Sequence, residues 1–464
     1  MINIAILGTS TLWTPGLVTD LMLTFDDPID FRLIDIDPEA LRLGAEWGEM
    51  ATVKHGRRDQ FRTFTDRRAA LHDADAVIIT LATGGLDVDE RDINICERYR
   101  IYPTVGDSTG PSGWGRTVRN VPVFMEFAQD FTDICPRAFI ANYSNPMSSL
   151  TATLQRCCPN PVVGLCHSYH QTKRFIQQLF DLETWDTISL SIAGINHFHW
   201  VTAFNIGKLD GYVELRKRIG AGRLSDLKPE LFGDIYDEHG TLSVYAGMHL
   251  LVELYETYGY LPYVGDRHTA EFLPFTLSGD VERYQRDNCT GLQYDTLRYC
   301  NLMRTSSAYR RLFVPERAVR IRSMIDGTLP LPVKSSETVA EMIRAYVLNL
   351  PFTDAVNVIN VGQIPGLPTG PCVETMGMID GLGVHPVTVD NVSPPLLELL
   401  RAPALAQHWA TEGAIQRDKS LLLQSLYIDP LCAHLKPHEV RSMAVELLES
   451  NRAFFALAEQ AGAL

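Results

Sequence analysis

The chain opens with an almost uninterrupted apolar run, Ile2–Leu7, which ends at Gly8. Such a run is typical of a β-strand that is buried on both faces, as in a parallel sheet covered by helices. Thr14-Pro15 then begins a segment of helical character that reaches about Leu23, and proline is tolerated in the first turn of a helix. These residues therefore predict a strand–turn–helix unit, the opening of a doubly wound α/β fold.

The same alternation continues through the first third of the chain. Further strands are predicted over residues 31–34, 75–81, 138–143 and 162–166, with helical segments between them. After about residue 180 the pattern changes to two antiparallel strands, a mostly helical stretch over 210–260 and a helical tail from Pro394, while two prolines make 329–333 a loop. We place a boundary near residue 183, with a Rossmann-like, doubly wound parallel sheet over 1–183 and an α+β substrate- and metal-binding domain over 184–464.

Composition excludes several classes of protein. The 464 residues are 45% hydrophobic and 21% charged, which is ordinary for a globular protein, and the net charge of −15 without a basic stripe argues against a nucleic-acid partner. No apolar run approaches the roughly 18 residues that a membrane span needs. Nine cysteines without regular spacing favour reduced thiols, so we expect a cytoplasmic protein with no secretory signal and no membrane partner.

The loop after the first strand is a candidate nucleotide site. Gly8 ends that strand, at the position where a pyrophosphate can approach the N-terminus of the next helix. The usual dinucleotide-binding motif G-x-G-x-x-G is incomplete, because Ser10 replaces its second glycine. Asp35 ends the next strand and can accept hydrogen bonds from a ribose, which favours NAD over NADP; the alternative is a helix cap by Asp35 or Asp37. Thr83-Gly84 is either a close backbone approach to the cofactor or a simple turn. The predicted cofactor-binding residues are Gly8, Ser10, Thr11, Asp35, Thr83 and Gly84.

A cysteine and a histidine form a candidate metal pair. Cys166 closes the strand-like run at 162–166, and His197 follows about 30 residues later. A thiolate and an imidazole that meet at a sheet edge suit a soft or borderline divalent cation. The alternatives are a buried, inert Cys166 and a hydrogen-bonded strand histidine, which is also how we interpret His199.

Longer blocks of sequence resemble the family 4 glycoside hydrolases along nearly the whole chain. The glycine loop departs from the family pattern at Thr9 and Ser10, and Trp114-Gly115 also departs from it. The blocks that carry the resemblance are GTSTLWTPGLV (8–18), LIDIDPEAL (33–41), VGDSTGPSGWGRTVRNVPV (105–123), NYSNPM (142–147), GLCHS (164–168), GINHFHW (194–200), PYVGDRHTAEFLPF (262–275) and NVGQIPGLPTGPCVE (360–374).

The resemblance implies hydrolysis through transient oxidation rather than through a pair of carboxylates. NAD⁺ takes hydride from C3 of the sugar, and a divalent metal, Mn²⁺ or another, stabilises the charge that forms when C2 loses its proton. The C1 substituent then leaves by elimination, water adds, and C3 is reduced again. An alternative of another class is an NAD-dependent dehydrogenase of the lactate/malate type, which needs no metal, so the Cys166/His197 pair separates the two.

The resemblance also implies roles for individual residues. Cys166 and His197 match the metal ligands. His167 matches a general acid for the leaving oxygen, and Asp266 matches a base for the C2 proton, with Tyr263 as the alternative base. Asn145 matches a substrate contact, since an amide both donates to and accepts from sugar hydroxyls, with an Asn-Pro turn cap as the alternative. Asn196 is a candidate contact to the sugar or to the metal.

The run Cys166-His167-Ser168-Tyr169-His170 looks closest to the α-galacturonidase branch, with α-galactosidase and α-glucuronidase as alternatives. A uronate needs a cation for its C6 carboxylate, and arginine offers bidentate donors. Arg267 and, in the 105–123 block, Arg116 and Arg119 are the candidates, with a surface salt bridge as the alternative role for each. The expected partner is a small sugar or oligosaccharide, and we expect a homodimer or homotetramer.

Overall fold

Twelve strands of one mixed sheet organise the part of the chain that the computed structural model describes, residues 1–9, 13–232, 248–277, 318–390 and 392–455. The strands are β1 Ile2–Leu7, β2 Ile29–Ile34, β3 Gln60–Phe64, β4 Ala76–Ile79, β5 Phe139–Asn142, β6 Val162–Gly164, β7 Ile188–Ile195, β8 Phe198–Ile206, β9 Leu209–Asp210, β10 Phe352–Ile359, β11 Cys372–Asp380 and β12 Gly383–Pro386.

The first six strands are parallel and lie in the order β3-β2-β1-β4-β5-β6. This is the order of a Rossmann-type doubly wound sheet, so the chain has an α/β fold. The sheet then continues through β10, β11, β7, β8 and β9 by antiparallel pairing, and β12 adds to β11. The predicted division at residue 183 stays a prediction, and one sheet runs through both stretches.

Helices cover the sheet, because apolar side chains on its two faces need partners. The helices are α1 Trp13–Thr24, α2 Pro38–Lys54, α3 Arg67–Ala70, α4 Gly85–Arg98, α5 Gly110–Ile134, α6 Met147–Cys157, α7 Ser168–Leu179, α8 Gly211–Ile219, α9 His249–Tyr258, α10 Asp266–Thr269, α11 Val339–Leu348, α12 Pro394–Gln416, α13 Lys419–Tyr427, α14 Pro437–Ser450 and α15 Arg452–Phe455. Residues 318–325 are also helical. Among the described residues, no helix combines the length and apolarity that a membrane crossing requires.

Two cores lie on opposite faces of the parallel strands, since side chains alternate along each strand. Ala5 and Leu7 of β1 belong to the core that includes Phe124, whereas Ile4 and Ile6 belong to the core that includes Trp47. This two-sided burial explains the continuous apolar run at the N-terminus.

Most predicted elements appear within a few residues of their expected bounds, and the loop at 329–333 and the helical tail are confirmed. Five strands were not predicted: β3, the two-residue β9, β10, β11 and β12. β3 is an edge strand with mostly exposed or half-buried residues, so it lacks an apolar signature. β10 and β11 lie far along the chain and join the sheet only through long-range pairing with β6 and β7.

Candidate active site

The predicted site residues meet at one edge of the sheet. Gly8 follows β1, Asp35 follows β2, Thr83 lies beyond β4, Asn145 beyond β5 and Cys166 beyond β6. Because these strands are parallel, their carboxyl ends share one edge, where ligands bind in open α/β sheets. The fold therefore places the candidate nucleotide loop and the candidate metal cysteine along the same edge.

The turn after β1 needs glycine. Gly8 has φ of +95°, and a Cβ there would lie 3.0 Å from the carbonyl carbon and oxygen of Thr80. The Thr80 hydroxyl in turn donates to the Gly8 carbonyl at 2.6 Å. A backbone this close to its neighbour, without a side chain, suits the approach of a dinucleotide phosphate. The other two predicted residues of this loop, Ser10 and Thr11, lie outside the described residues.

Asp35 braces this loop. Its carboxylate accepts hydrogen bonds from the Thr9 amide at 2.8 Å and the Asp37 amide at 3.0 Å. Asp37, not Asp35, caps helix α2, since the Asp37 side chain accepts from the Glu39 amide at 2.9 Å. The half-buried Asp35 carboxylate at the end of β2 is therefore in the position at which a dinucleotide fold binds a ribose.

Thr83 and Gly84 form the turn that begins α4. Gly84 has φ of +89° and occupies the N-cap. The Thr83 carbonyl accepts a hydrogen bond from Nε of the buried Arg119 at 2.9 Å. An arginine thus fixes the backbone of this turn from inside the protein.

Three side chains form a candidate metal cluster. Asp107, His197 and His268 each offer one donor atom, and these atoms lie within 4.8 Å of one another. The Cys166 side chain is hydrogen-bonded to His197, so the predicted cysteine–histidine pair is in contact and adjoins this cluster. Carboxylate oxygen, imidazole nitrogen and thiolate sulfur together suit a borderline divalent cation such as Mn²⁺, Fe²⁺, Co²⁺ or Zn²⁺.

The two histidines of the cluster have opposite electrostatics. Burial lowers the pKa of His197, but the Cys166 charge and hydrogen bond, with Asp107 and Glu374, outweigh it and raise that pKa to about 9. Burial and the neighbouring His197 lower the pKa of His268 well below its usual range. The ring centroids are 4.0 Å apart, so only one of the two rings readily carries a proton.

Asp107 is held from two sides. Its Oδ1 accepts from the Ser108 hydroxyl at 2.7 Å, and its Oδ2 accepts from the Asn145 amide at 3.2 Å. Oδ1 of Asn145 also accepts from the backbone amide of Met147, the first residue of α6, at 3.2 Å. Asn145 therefore lies beside the cluster and is tied to the start of α6.

His167 lies at the open side of the site, with 38% of its side chain exposed. Its Nδ1 is 3.9 Å from a carboxylate oxygen of Glu337. Desolvation lowers the pKa of His167 to about 4, and the neighbouring His197 and His170 add to the shift. The imidazole of His167 is accordingly neutral near pH 7 when no ligand is bound.

The two candidate bases differ in surroundings. The buried Asp266 carboxylate accepts from the amides of Leu250 at 2.7 Å and Leu251 at 2.9 Å, which ties it to the first turn of α9. The Tyr263 ring is stacked on His197 at 6.1 Å between centroids, and its hydroxyl donates to Gln171 at 3.1 Å. Tyr263 therefore contacts the metal cluster directly, whereas both Asp266 oxygens accept backbone hydrogen bonds.

Buried acidic residues pair with two of the candidate arginines. Arg116 is 3.0 Å from Asp89, and the fully buried Arg119 bonds to Asp92 at 2.6 Å and also to Asp89. These pairs lie behind the Thr83 turn and join α4 to α5. Nε of Arg267 donates to the Thr104 carbonyl at 2.9 Å, and Arg267 is next in sequence to His268.

Asn196 and His199 flank the cluster on the β7–β8 hairpin. Asn196 is 1% exposed, and both its amide atoms lack a partner among the described residues. Nδ1 of His199 donates to the Glu374 carboxylate at 2.6 Å, and that carboxylate also accepts from Asn357 at 3.0 Å. Glu374 therefore anchors the hairpin that carries His197.

The sequence interpretation missed Asp107, Ser108 and His268. All three lie in the blocks 105–123 and 262–275, whose sequences resemble the family but in which these residues have no assigned role. Asp107 and Ser108 directly follow Gly106, and His268 follows an Asp-Arg pair in the short helix α10. Polar residues in such positions are common and have no strong signal of their own. The closeness of Asp107 and His268 to His197 appears only in the tertiary structure.

Family models match most of the chain. The Family 4 glycosyl hydrolase model covers residues 3–182, and the Family 4 glycosyl hydrolase C-terminal domain model covers residues 192–432. The chain therefore belongs to family 4 of the glycosyl hydrolases and is a glycosidase. This membership places it with sugar-cleaving enzymes rather than with the lactate/malate dehydrogenases.

Individual relatives are named for two different substrates. An alpha-galacturonidase of Lachnoclostridium phytofermentans is 28% identical, over 96% of this chain and 95% of that protein. An alpha-galactosidase of Bacillus subtilis is 27% identical, over 95% of this chain and 96% of that protein. The relatives thus include enzymes for both an acidic and a neutral galactoside.

Solved structures share the whole fold. The structure of lplD from Bacillus subtilis has a TM-score of 0.81 at 26% identity and covers 97% of this chain and 100% of its own. The 6-phospho-beta-glucosidase of Thermotoga maritima, solved with manganese, NAD⁺ and glucose-6-phosphate, has a TM-score of 0.74 at 19% identity and covers 97% and 98%. A malate dehydrogenase of Plasmodium falciparum, at 12% identity and a TM-score of 0.52 over 90% and 99%, shares the fold alone.

Proposed function

We propose that this family 4 glycosidase removes terminal, unphosphorylated α-D-galacturonides, using NAD⁺ and a divalent metal such as Mn²⁺. The observation that carries the proposal is the meeting of Cys166, His197, Asp107 and His268 at the sheet edge that also bears the Gly8 loop. A metal site beside a dinucleotide loop suits oxidation and elimination at a sugar, and neither part alone would suffice.

Both cofactors fit the residues present. Cys166 and His197, with Asp107 and His268 beside them, would hold the metal, and the turns at Gly8 and Gly84 with the Asp35 carboxylate would hold NAD⁺. When bound, NAD⁺ supplies a hydride acceptor for C3 and the metal supplies a Lewis acid for the adjacent sugar oxygens. The Thermotoga maritima relative contains both, which supports the assignment.

The remaining residues have roles around the sugar ring. Asn145 and Asn196 bind hydroxyl groups, and the unpartnered, buried amide of Asn196 supports that role. His167, at the open side of the site, is the candidate proton donor for the leaving oxygen, a role that requires bound substrate to raise its lowered pKa. Asp266 or Tyr263 removes the proton from C2, and the stacking of Tyr263 on His197 favours the tyrosine.

Deuterium incorporation tests the base. Product formed in D₂O should carry deuterium at C2, because the base exchanges its proton with solvent before returning it. If Tyr263 is the base, Tyr263→Phe loses both turnover and exchange while Asp266→Asn keeps the exchange; the reverse result assigns Asp266. Product without C2 deuterium in the unaltered enzyme would count against elimination.

The substrate assignment rests on the Cys166–His170 run and on relatives named alpha-galacturonidase. Arg267, which is next in sequence to His268 of the cluster, is the first candidate cation for the C6 carboxylate, and Arg116, 3.0 Å from Asp89, is the second. A charge-assisted hydrogen bond to that carboxylate contributes roughly 1.5–3 kcal/mol, which a neutral galactoside does not gain. The α-galacturonide should therefore be preferred over the α-galactoside by about tenfold to a few hundredfold.

A panel of p-nitrophenyl α- and β-glycosides and uronides, with NAD⁺, Mn²⁺ and a thiol reductant, tests this assignment. Equal cleavage of α-galactoside and α-galacturonide would replace the proposal with α-galactosidase, which the Bacillus subtilis relative represents. Cleavage of only the gluco epimer would make the enzyme an α-glucuronidase. A cytoplasmic location and a dimeric or tetrameric assembly belong to the same proposal, and gel filtration with light scattering tests the assembly.

A further inference from the structure

One buried hydroxyl lies between two members of the metal cluster. The Ser108 Oγ is 2.9 Å from Nδ1 of His197, and it donates to Oδ1 of Asp107 at 2.7 Å. Because a hydroxyl has a single hydrogen and that hydrogen goes to Asp107, the Ser108 oxygen can only accept from Nδ1. His197 therefore carries a proton on Nδ1 whenever both hydrogen bonds are made.

Two residues distant in sequence, Glu271 and Gln407, fix the loop that carries this hydroxyl. One carboxylate oxygen of the buried Glu271 accepts from the amides of Thr104 at 2.9 Å, Val105 at 2.8 Å and Gly106 at 2.7 Å. Gln407 of α12 donates to the Ser108 carbonyl at 3.1 Å. Ser108 is thus held in place by residues of the C-terminal half and not by its own loop alone.

His197 itself sits in a turn that restricts it. Its φ is +65°, a left-handed conformation that few residues other than glycine and asparagine adopt easily. The turn is closed by the pairing of Ile195 with Phe198, and beside it a Cβ on Gly194 would lie 2.3 Å from the Phe198 carbonyl oxygen. The backbone places the ring, and the remaining freedom is which nitrogen carries the proton.

We infer that Ser108 is a positioning residue that holds the Nδ1–H tautomer of His197, so that Nε2 is the nitrogen offered to the metal beside Cys166. The inference rests on the proposed function only in requiring that the site binds a divalent cation. A hydrogen bond to the second ring nitrogen is how proteins usually orient a metal-binding histidine, and its loss typically weakens metal affinity about 10- to 100-fold.

Metal affinity of Ser108→Ala tests the inference directly. The Mn²⁺ dissociation constant, followed by electron paramagnetic resonance of free Mn²⁺ in the full chain without substrate, should rise about 10- to 100-fold. The matched control is Ser425→Ala, because Ser425 is equally buried and hydrogen-bonded to Trp114 but does not contact His197. That control should bind Mn²⁺ like the unaltered protein.

A change in Mn²⁺ affinity of less than about twofold in folded Ser108→Ala would overturn the inference while leaving the proposed function intact. If the unaltered protein binds no Mn²⁺, the proposed function fails instead, so the two failures are distinguishable. Thermal unfolding of each variant shows whether an affinity change reflects the site or the fold.

A second measurement needs no Ser108 variant. In the Zn²⁺-loaded protein with ¹⁵N-labelled histidine, the His197 signals should show a protonated Nδ1 and a metal-bound Nε2. The signals are assigned by their loss in His197→Asn, a substitution compatible with the positive φ. A protonated Nε2 would refute the inference even if Ser108→Ala did not fold.

Discussion

The two sides of the site are built by different means. On the nucleotide side, glycines with positive φ at 8 and 84 shape the loops; Asp35 braces the first loop through the Thr9 amide, and Arg119 braces the second through the Thr83 carbonyl. On the metal side, buried side chains lock distant segments together, with Glu271 holding residues 104–106 and Arg267 holding Thr104. The nucleotide side therefore depends on glycine conformations and on hydrogen bonds within the first six strands and their helices, whereas the metal side depends on hydrogen bonds between segments much farther apart in sequence.

The largest expected effect is on the metal side. Cys166→Ser should weaken Mn²⁺ affinity by more than about 100-fold and remove most NAD⁺-dependent turnover, because a neutral hydroxyl replaces a thiolate ligand. Cys157→Ser, another partly buried cysteine outside the site, is the matched control and should bind Mn²⁺ normally. Unchanged Mn²⁺ affinity in Cys166→Ser would refute its assignment as a ligand.

Removal of the Glu271 carboxylate should weaken the whole metal-side loop. Glu271→Ala leaves three buried amides without an acceptor and should lower the free energy of unfolding by about 2–5 kcal/mol. Glu271→Gln keeps an acceptor oxygen and should cost less than about 1.5 kcal/mol. Denaturant unfolding measures both, and equal losses in the two variants would contradict the hydrogen-bonding role.

On the nucleotide side, Gly8→Ala should lower stability by about 1–2 kcal/mol for the backbone strain alone and also weaken NAD⁺ binding. Gly56→Ala is the control, because Gly56 has a positive φ of +64° but no atom within 4 Å of an added Cβ. Isothermal titration with NAD⁺ should separate the two variants. Equal NAD⁺ affinity would show that the Gly8 turn does not approach the cofactor.

The smallest effect concerns pH. Burial raises the pKa of Asp429 to about 7, although the Leu431 and Gly110 amides offset part of the shift. The Asp429 carboxyl therefore stays protonated in the folded protein at pH values above about 4, the usual pKa that it has in the unfolded chain. The stability gained in this way is complete below about pH 4 and is lost as the pH rises through 7. Asp429→Asn should remove this component, so the difference in unfolding free energy from the unaltered protein should change between pH 4 and 7 and stay constant above.

Much of the fold was predictable because buried parallel strands leave a local signature. The apolar runs of β1, β2, β4, β5 and β6 were found within a few residues of their bounds, as was the β7–β8 hairpin. Edge strand β3 and the later strands β10 and β11 were missed, because an exposed edge and a distant pairing leave no comparable pattern.

The sequence by itself determined the Rossmann-type opening, the glycine turn at Gly8 and the presence of Cys166 and His197 after neighbouring strands, since these depend on short-range periodicity and turn chemistry. Only the tertiary structure decided that Asp107 and His268 join His197, and that Ser108 reaches it across 89 residues. The hydrogen bond from the Gly106 amide to Glu271 joins residues that are 165 positions apart in the sequence. Such contacts depend on how whole elements pack, and the energy of one buried hydrogen bond leaves no trace in the local sequence pattern.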